Sequence, residues 1–295
     1  MSVKTQKRLF IVAIVSAVSI LTFAYFEDLK VSQHVINYHS WFGTFFQTFG
    51  EFPVYLVLAF VGQIAMNYAL RFTSNYLFSS TLFLGGITLT AWQIKRYTNE
   101  FLGYIASIQH NIDKHQAIGI ANSDGAKISF SSSVNWITWA IFLIIFIIIC
   151  QLWLKSKTDL QIKRLMIIAV FAALTVWCAL KVNETLKELW GRVRPYELSK
   201  TNHFTNWLTI NGPNGHKSFP SGHTMAATLA IVFTWFIENK KKRQFWFGIS
   251  VIYGILVAVS RVIIGAHFLS DVTFSFFITI FIIYILRELL IKNLE

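Results

Sequence analysis

Charge is scarce in this chain. Asp, Glu, Lys and Arg make up 14% of its 295 residues, against roughly 25% in an ordinary soluble domain. Apolar residues make up 55%, and the mean hydropathy is +0.53. The shortage excludes an ordinary soluble globular chain and points to an integral membrane protein. Acidic residues are the scarcer sign, 14 against 26 basic ones, for a net charge of +12. That balance would suit nucleic acid only if the basic residues covered a solvated domain, and no stretch is long enough to form one. They lie instead between apolar runs, where they report topology and can bind phosphate or anionic lipid headgroups. Cysteine is limited to Cys150 and Cys178, both inside apolar runs. As helical residues they would differ in depth by roughly 13 Å, too far for a bridge, so they read as small buried hydrophobes. No Gly/Ser linker, internal repeat or low-complexity segment marks off a second domain.

What the chain has in quantity is aromatic residues and long apolar runs. Its 28 Phe, 10 Trp and 10 Tyr suit lipid-facing surfaces and interfacial belts. Runs close to the roughly 17–25 residues that cross a hydrocarbon core occur at approximately 9–26, 54–70, 76–94, 134–154, 164–181, 224–238, 245–260 and 271–287. The predicted fold class is therefore all-α, a polytopic transmembrane helical bundle of about eight spans, with the sixth and eighth short. Lys4, Lys7 and Arg8 precede the first span. Lys155, Lys157, Lys163 and Arg164 join the fourth to the fifth, and Lys240, Lys241, Lys242 and Arg243 join the sixth to the seventh. With eight spans these clusters share one side, which the retention of positive loops makes cytoplasmic. Both termini are then cytoplasmic, and the loops 27–53, 95–133, 182–223 and the turn before 271 face the other compartment.

The first run reads as an uncleaved span. It is about 18 residues, longer than a usual signal core, and no small-x-small site precedes Glu27 and Asp28. In the loop 95–133, Phe101, Leu102, Ile105, Ile108 and Ile112 have the spacing of a helix with one apolar stripe. It reads either as an interfacial helix lying flat on the outer leaflet or as a structural helix capping the bundle.

Three segments put ionisable residues at or beside spans, where each is costly and a functional candidate by default. They are Lys187 to Arg194 and Pro195 after the fifth span, Pro220-Ser221-Gly222-His223 opening the sixth, and Ser260-Arg261 followed by His267 and Asp271 leading into the eighth. Taken singly, each has a structural explanation: snorkelling cations, a turn before a helix, or a hydrogen-bonding histidine. Three basic residues and two histidines meeting on one predicted side are explained more directly by phosphoryl transfer, which relies on positioning and electrostatic stabilisation. Lys187, Arg194 and Arg261 supply a cationic clamp, with planar bidentate donors from arginine. Ser221 and Gly222 offer a hydroxyl and backbone N–H groups at a helix start. His267 and Asp271 are four apart, on one helical face, so the carboxylate can orient the imidazole as nucleophile. His223 is the remaining proton carrier.

In these segments the chain resembles the type 2 phosphatidic acid phosphatase (PAP2) superfamily, in its membrane lipid phosphatase branch. The signature K-x6-RP, PSGH and SR-x5-H-x3-D is matched throughout, over roughly residues 180–275. The resemblance implies a catalytic core over about 160–290, a six-helix arrangement, and a site without metal or other cofactor. It assigns Lys187, Arg194, Ser221, Gly222 and Arg261 to phosphate binding, His223 to acid/base work, His267 to the nucleophile and Asp271 to its partner. Residues 1–158 would be additional N-terminal spans and an outer-face loop, carrying no recognisable chemistry. The expected activity is hydrolysis of a lipid phosphate on the extracytoplasmic face of a bacterial cytoplasmic membrane. Candidate substrates are a polyprenyl diphosphate, phosphatidic acid or phosphatidylglycerophosphate. The partners are that lipid and the bilayer, not nucleic acid. The competing readings are a lipid phosphotransferase using the same site and a transporter; eight spans argue against a soluble vanadate-holding haloperoxidase of the same superfamily. His203 and His216 match no motif position, and Phe204, Trp207, Leu208 and Ile210 read as interfacial anchors beside the site.

Overall fold

A computed structural model describes residues 3–72, 75–119 and 129–294, with side chains described from residue 11 onward. The side chains of Lys4, Lys7 and Arg8, and residues 120–128 of the predicted outer loop, lie outside the described residues.

The chain is an all-α polytopic bundle. Its helices are α1 (Val3–Val35), α2 (Trp41–Phe49), α3 (Phe52–Phe72), α4 (Tyr76–Asp113), α5 (Ser132–Lys155), α6 (Asp159–Trp190), α7 (Gly222–Thr228), α8 (Lys240–Ile263) and α9 (Leu269–Leu294). Side-chain caps start most of them. Ser40, Asn75, Ser131 and Asn239 each accept from a backbone N–H of the first turn, and Thr158 forms a reciprocal box with Gln161. Gly191 ends α6 in the left-handed conformation, φ 48°, which glycine reaches without a Cβ penalty. A Cβ there would also strike the Gly212 carbonyl oxygen.

Among the described residues, seven segments are long and apolar enough to cross a membrane. The predicted sixth span differs: α7 passes directly into a 3₁₀ helix, Leu229–Phe236. Seven α residues and eight 3₁₀ residues rise about 26 Å, so the stretched 3₁₀ turn recovers most of a bilayer's depth from a short run. The loop 95–133 also differs from expectation. No Gly or Pro interrupts residues 95–101, and α4 runs unbroken for 38 residues, about 57 Å. The amphipathic stretch is therefore the end of α4, not a separate helix lying flat. Leu102 and Ala106 turn inward, while Ile112 is exposed.

Helix α3 is the hub, packing on α4, α6, α7 and the 3₁₀ segment. Gly62 and Gly86 let α3 and α4 touch, since a Cβ on either would collide with the other's carbonyl oxygen. Polar side chains tie α3 to α4 and to α5. Gln63 donates to Thr90 at 3.0 Å, Gln151 to Gln63 at 2.8 Å and Asn67 to Gln151 at 3.1 Å. The apolar core continues through Ile168, Ala172 and Val176 of α6 to Leu229 and Val232 of the 3₁₀ segment and Ile283 and Leu286 of α9. Cys150 and Cys178 are free thiols.

The two ends of the bundle differ. At one, Arg71 binds the carbonyls of Leu154 and Lys157, and Gln161 reaches Glu238, gathering the basic connections α5–α6 and 3₁₀–α8. At the other, Asn37 donates to the Ile263 carbonyl, Gly119 to that of Tyr38, and Tyr196 to that of Gly265. The connections α1–α2, α4–α5, α6–α7 and α8–α9 meet there.

Candidate active site

All eight sequence-predicted residues lie at this second end, on or beside four helices. Lys187 is in the last turn of α6 and Arg194 in the strand-like segment after it. Ser221, Gly222 and His223 begin α7; Arg261 closes α8; His267 and Asp271 flank the start of α9.

His267 and Asp271 are buried, with Nδ1 3.6 Å from Asp271 Oδ2. That is just beyond hydrogen-bond distance, and Nδ1 has no other partner; such contacts tighten when a ligand engages the ring. Oδ2 is meanwhile held by the Ser218 hydroxyl at 2.5 Å and the Phe268 N–H at 2.9 Å. Burial holds the His267 ring well below its ordinary pKa, at about 3, with Asp271 opposing the shift and Arg194 and Lys187 adding to it. The free ring is therefore neutral, with a lone pair available at ordinary pH.

Lys187 Nζ donates to the Lys217 carbonyl at 3.1 Å. A Cβ built on Gly222 would lie 3.9 Å from that ammonium, so the start of α7 faces the lysine across a gap that glycine leaves open. Ser221 is more committed than its sequence context suggests. Its N–H donates to the Asp271 carbonyl at 3.2 Å, and its Oγ accepts from Thr224 Oγ1 at 3.0 Å. The hydroxyl proton is left to donate. Arg261 is buried, with one arm on Gln47 Oε1 at 2.9 Å and its Nε without a partner. Arg194 is half-buried, its guanidinium 5.7 Å from the Tyr196 ring. Arg261, His267, Arg194 and Lys187 all act electrostatically on His223, so the cations and both histidines share one field.

Sequence reasoning missed five contributors. Arg192, an unassigned position inside the first motif, is fully buried. It donates to Asp271 at 2.5 Å, to Ser270 at 2.7 Å and to Asp28 at 3.0 Å, and it stacks over Phe268 at 4.3 Å. Asp28, on α1, also accepts from the Ser270 backbone N–H at 3.0 Å and from the Ser270 hydroxyl. Gln47 on α2, Glu51 in the α2–α3 turn and Tyr104 on α4 contact Arg261 or His223. Residues 1–158, expected to carry no recognisable chemistry, thus supply four side chains that reach the predicted site residues or Arg192. Asp28 and Glu51 had one legible signal, a carboxylate beside an apolar run. Of the predicted anchors, Phe204 packs edge-on against Phe268 and Trp207 stacks near Phe219, while Leu208 and Ile210 are exposed. His216 pairs with Glu197 at 2.9 Å, away from the other two histidines' partners. Among the described residues, no three His, Cys, Asp or Glu side chains gather as a metal-ligand set.

Residues 164–294 match the PAP2 superfamily. Phosphatidylglycerophosphatase B of Bacillus subtilis (strain 168) is 30% identical over 112 residues, covering 36% of this chain and 50% of that protein. The match therefore spans about half of that relative's length. No solved structure matches the chain.

Proposed function

We propose that this chain, whose residues 164–294 belong to the PAP2 superfamily, is a lipid phosphatase acting through a phosphohistidine, with its site on the extracytoplasmic face. The observation that carries the reading is the meeting of a neutral buried histidine, its carboxylate, a second histidine and three cations at one end of an apolar bundle. Phosphatidylglycerophosphate is the first substrate to try, on the name of the relative; phosphatidic acid and a polyprenyl diphosphate are the others. The basic connections gathered at the opposite end support the outward orientation.

Lys187, Arg194, Arg261, the Ser221 hydroxyl and the Gly222 backbone hold the phosphate oxygens. Nδ1 of His267 faces Asp271, so Nε2 attacks phosphorus. The bond from phosphorus to the lipid oxygen breaks, its electron pair stays on that oxygen, and the oxygen takes the proton of His223. Water then attacks the phosphohistidine and gives a proton to His223. The P–N bond breaks, its electrons return to Nε2, and inorganic phosphate leaves. The protein's cations do the charge stabilisation that a metal ion would otherwise supply.

The test is phosphate release by purified protein in detergent, with EDTA present, from a panel of the three lipid classes. The reading expects release that His267→Ala abolishes. Transfer of label to a second lipid without free phosphate would replace hydrolysis by phosphotransfer. Loss of all release with EDTA would overturn the metal-free site.

A further inference from the structure

His223 has both ring nitrogens engaged by residues outside the PAP2-matched segment. Nδ1 is 3.2 Å from Glu51 Oε1, and Nε2 is 3.0 Å from the Tyr104 hydroxyl. The approach is close: a Cβ on Gly50, next to Glu51, would lie 3.3 Å from His223 Cδ2, so glycine lets the α2–α3 turn press against the ring. The largest charges acting on His223 are cationic, while Glu100 acts on Glu51 and Tyr104 beyond it. Lys187 comes from α6, Arg194 from the segment after it, and Arg261 from α8, with His267 beside them. A histidine that must carry a proton among three cations needs a counter-charge.

We propose that Glu51 is a positioning residue for His223, its carboxylate fixing the proton on Nδ1 and balancing the imidazolium that protonates the leaving oxygen. The inference rests on the phosphatase reading above. With Glu51 accepting from Nδ1, the proton that moves is the one on Nε2. It goes to the leaving oxygen as the P–O bond breaks, and Nε2 regains a proton when water attacks. The Tyr104 hydroxyl marks the side of the ring on which that exchange takes place. Glu51 keeps the charge of the acid form matched while Lys187, Arg194 and Arg261 stay on the phosphate. The α2–α3 turn thus completes a site whose motifs all lie more than a hundred residues later in the chain.

The experiment compares two leaving groups in Glu51→Gln, an isosteric change that removes the charge. An alkyl phosphate needs a proton on its departing oxygen; an aryl phosphate with an acidic phenol does not. Single-turnover release of the alcohol isolates the first step. The proposal expects alkyl release to slow on the order of 10²-fold, aryl release to change little, and Glu51→Asp, which keeps the carboxylate, to recover part of the alkyl rate. Equal slowing of both leaving groups would assign Glu51 a merely structural role and overturn the proposal. So would an undiminished alkyl rate. If Glu51→Gln does not fold, the same comparison in Glu51→Asp decides: the shortened carboxylate must slow the alkyl substrate more than the aryl one. Loss of the proposal leaves the phosphatase reading standing, because that reading is tested separately, by phosphate release and its loss in His267→Ala.

Discussion

Asp28→Ala should be among the more damaging single changes outside the motifs. Asp28 is buried, accepts from Arg192 Nη2 and from the Ser270 N–H at 3.0 Å each, and accepts from the Ser270 hydroxyl. Removing one partner of a buried ion pair costs about 3–5 kcal/mol. Arg192 keeps Asp271 at 2.5 Å, which places the loss at the low end. The stranded Ser270 N–H adds about 1–3 kcal/mol. A total of about 4 kcal/mol, at roughly 2–4 °C per kcal/mol, lowers the unfolding midpoint in detergent by on the order of 10 °C. Catalysis should fall with it, because Arg192 holds Asp271, the proposed partner of His267, 3.6 Å from its ring. Glu27→Ala next door is the control, since Glu27 pairs only with exposed Lys30 at 3.0 Å, and exposed pairs contribute little. An Asp28→Ala protein that melts with the wild type would refute the idea that α1 supports the site through Arg192.

Three further expectations follow from the geometry. Burial puts His267 at about 3, below the ordinary value near 6.5. The unfolded chain therefore takes up a proton that the folded one refuses, and stability from this group is lost as pH falls from about 6.5 toward 3. The same neutrality means that kcat/KM, corrected for the substrate's own second ionisation, shows no acid limb near pH 6.5. A limb at that value would contradict the buried neutral nucleophile. Gly222→Ala should fold, because its Cβ would meet Asn183 and Lys187 only at 3.7–3.9 Å, but it fills the gap in front of Lys187. KM should rise on the order of tenfold, the cost of one lost hydrogen bond to a charged group; an unchanged KM would mean that the phosphate does not sit there.

The motif residues were legible because their spacing is local: His267 lies two residues before α9 and not on its face, yet four residues still hold it 3.6 Å from Asp271, and Ser221 marks the start of α7. The all-α membrane class followed from composition, and the span positions from apolar runs. What surrounds the motifs was not legible in this way. Arg192 occupies a position that the first motif leaves open, and its meaning depends on Asp28, 164 residues away. Glu51 and Tyr104 matter only because α3 packs on both α4 and α7 and both side chains reach the His223 ring, a tertiary fact with no local period. The 3₁₀ geometry of Leu229–Phe236 and the continuation of α4 past residue 95 depend likewise on neighbours and on the lack of a breaker, which hydropathy alone does not register.

The central claim is that His267 becomes phosphorylated during turnover. Rapid quench of the purified protein with ³²P-labelled lipid phosphate, under alkaline conditions that preserve phosphohistidine, followed by peptide mapping, tests it directly. Acid-labile label is expected on the peptide carrying His267, formed and discharged within a turnover and absent in His267→Ala. Phosphate release at full rate with no label on that peptide, or label on another residue, would contradict it.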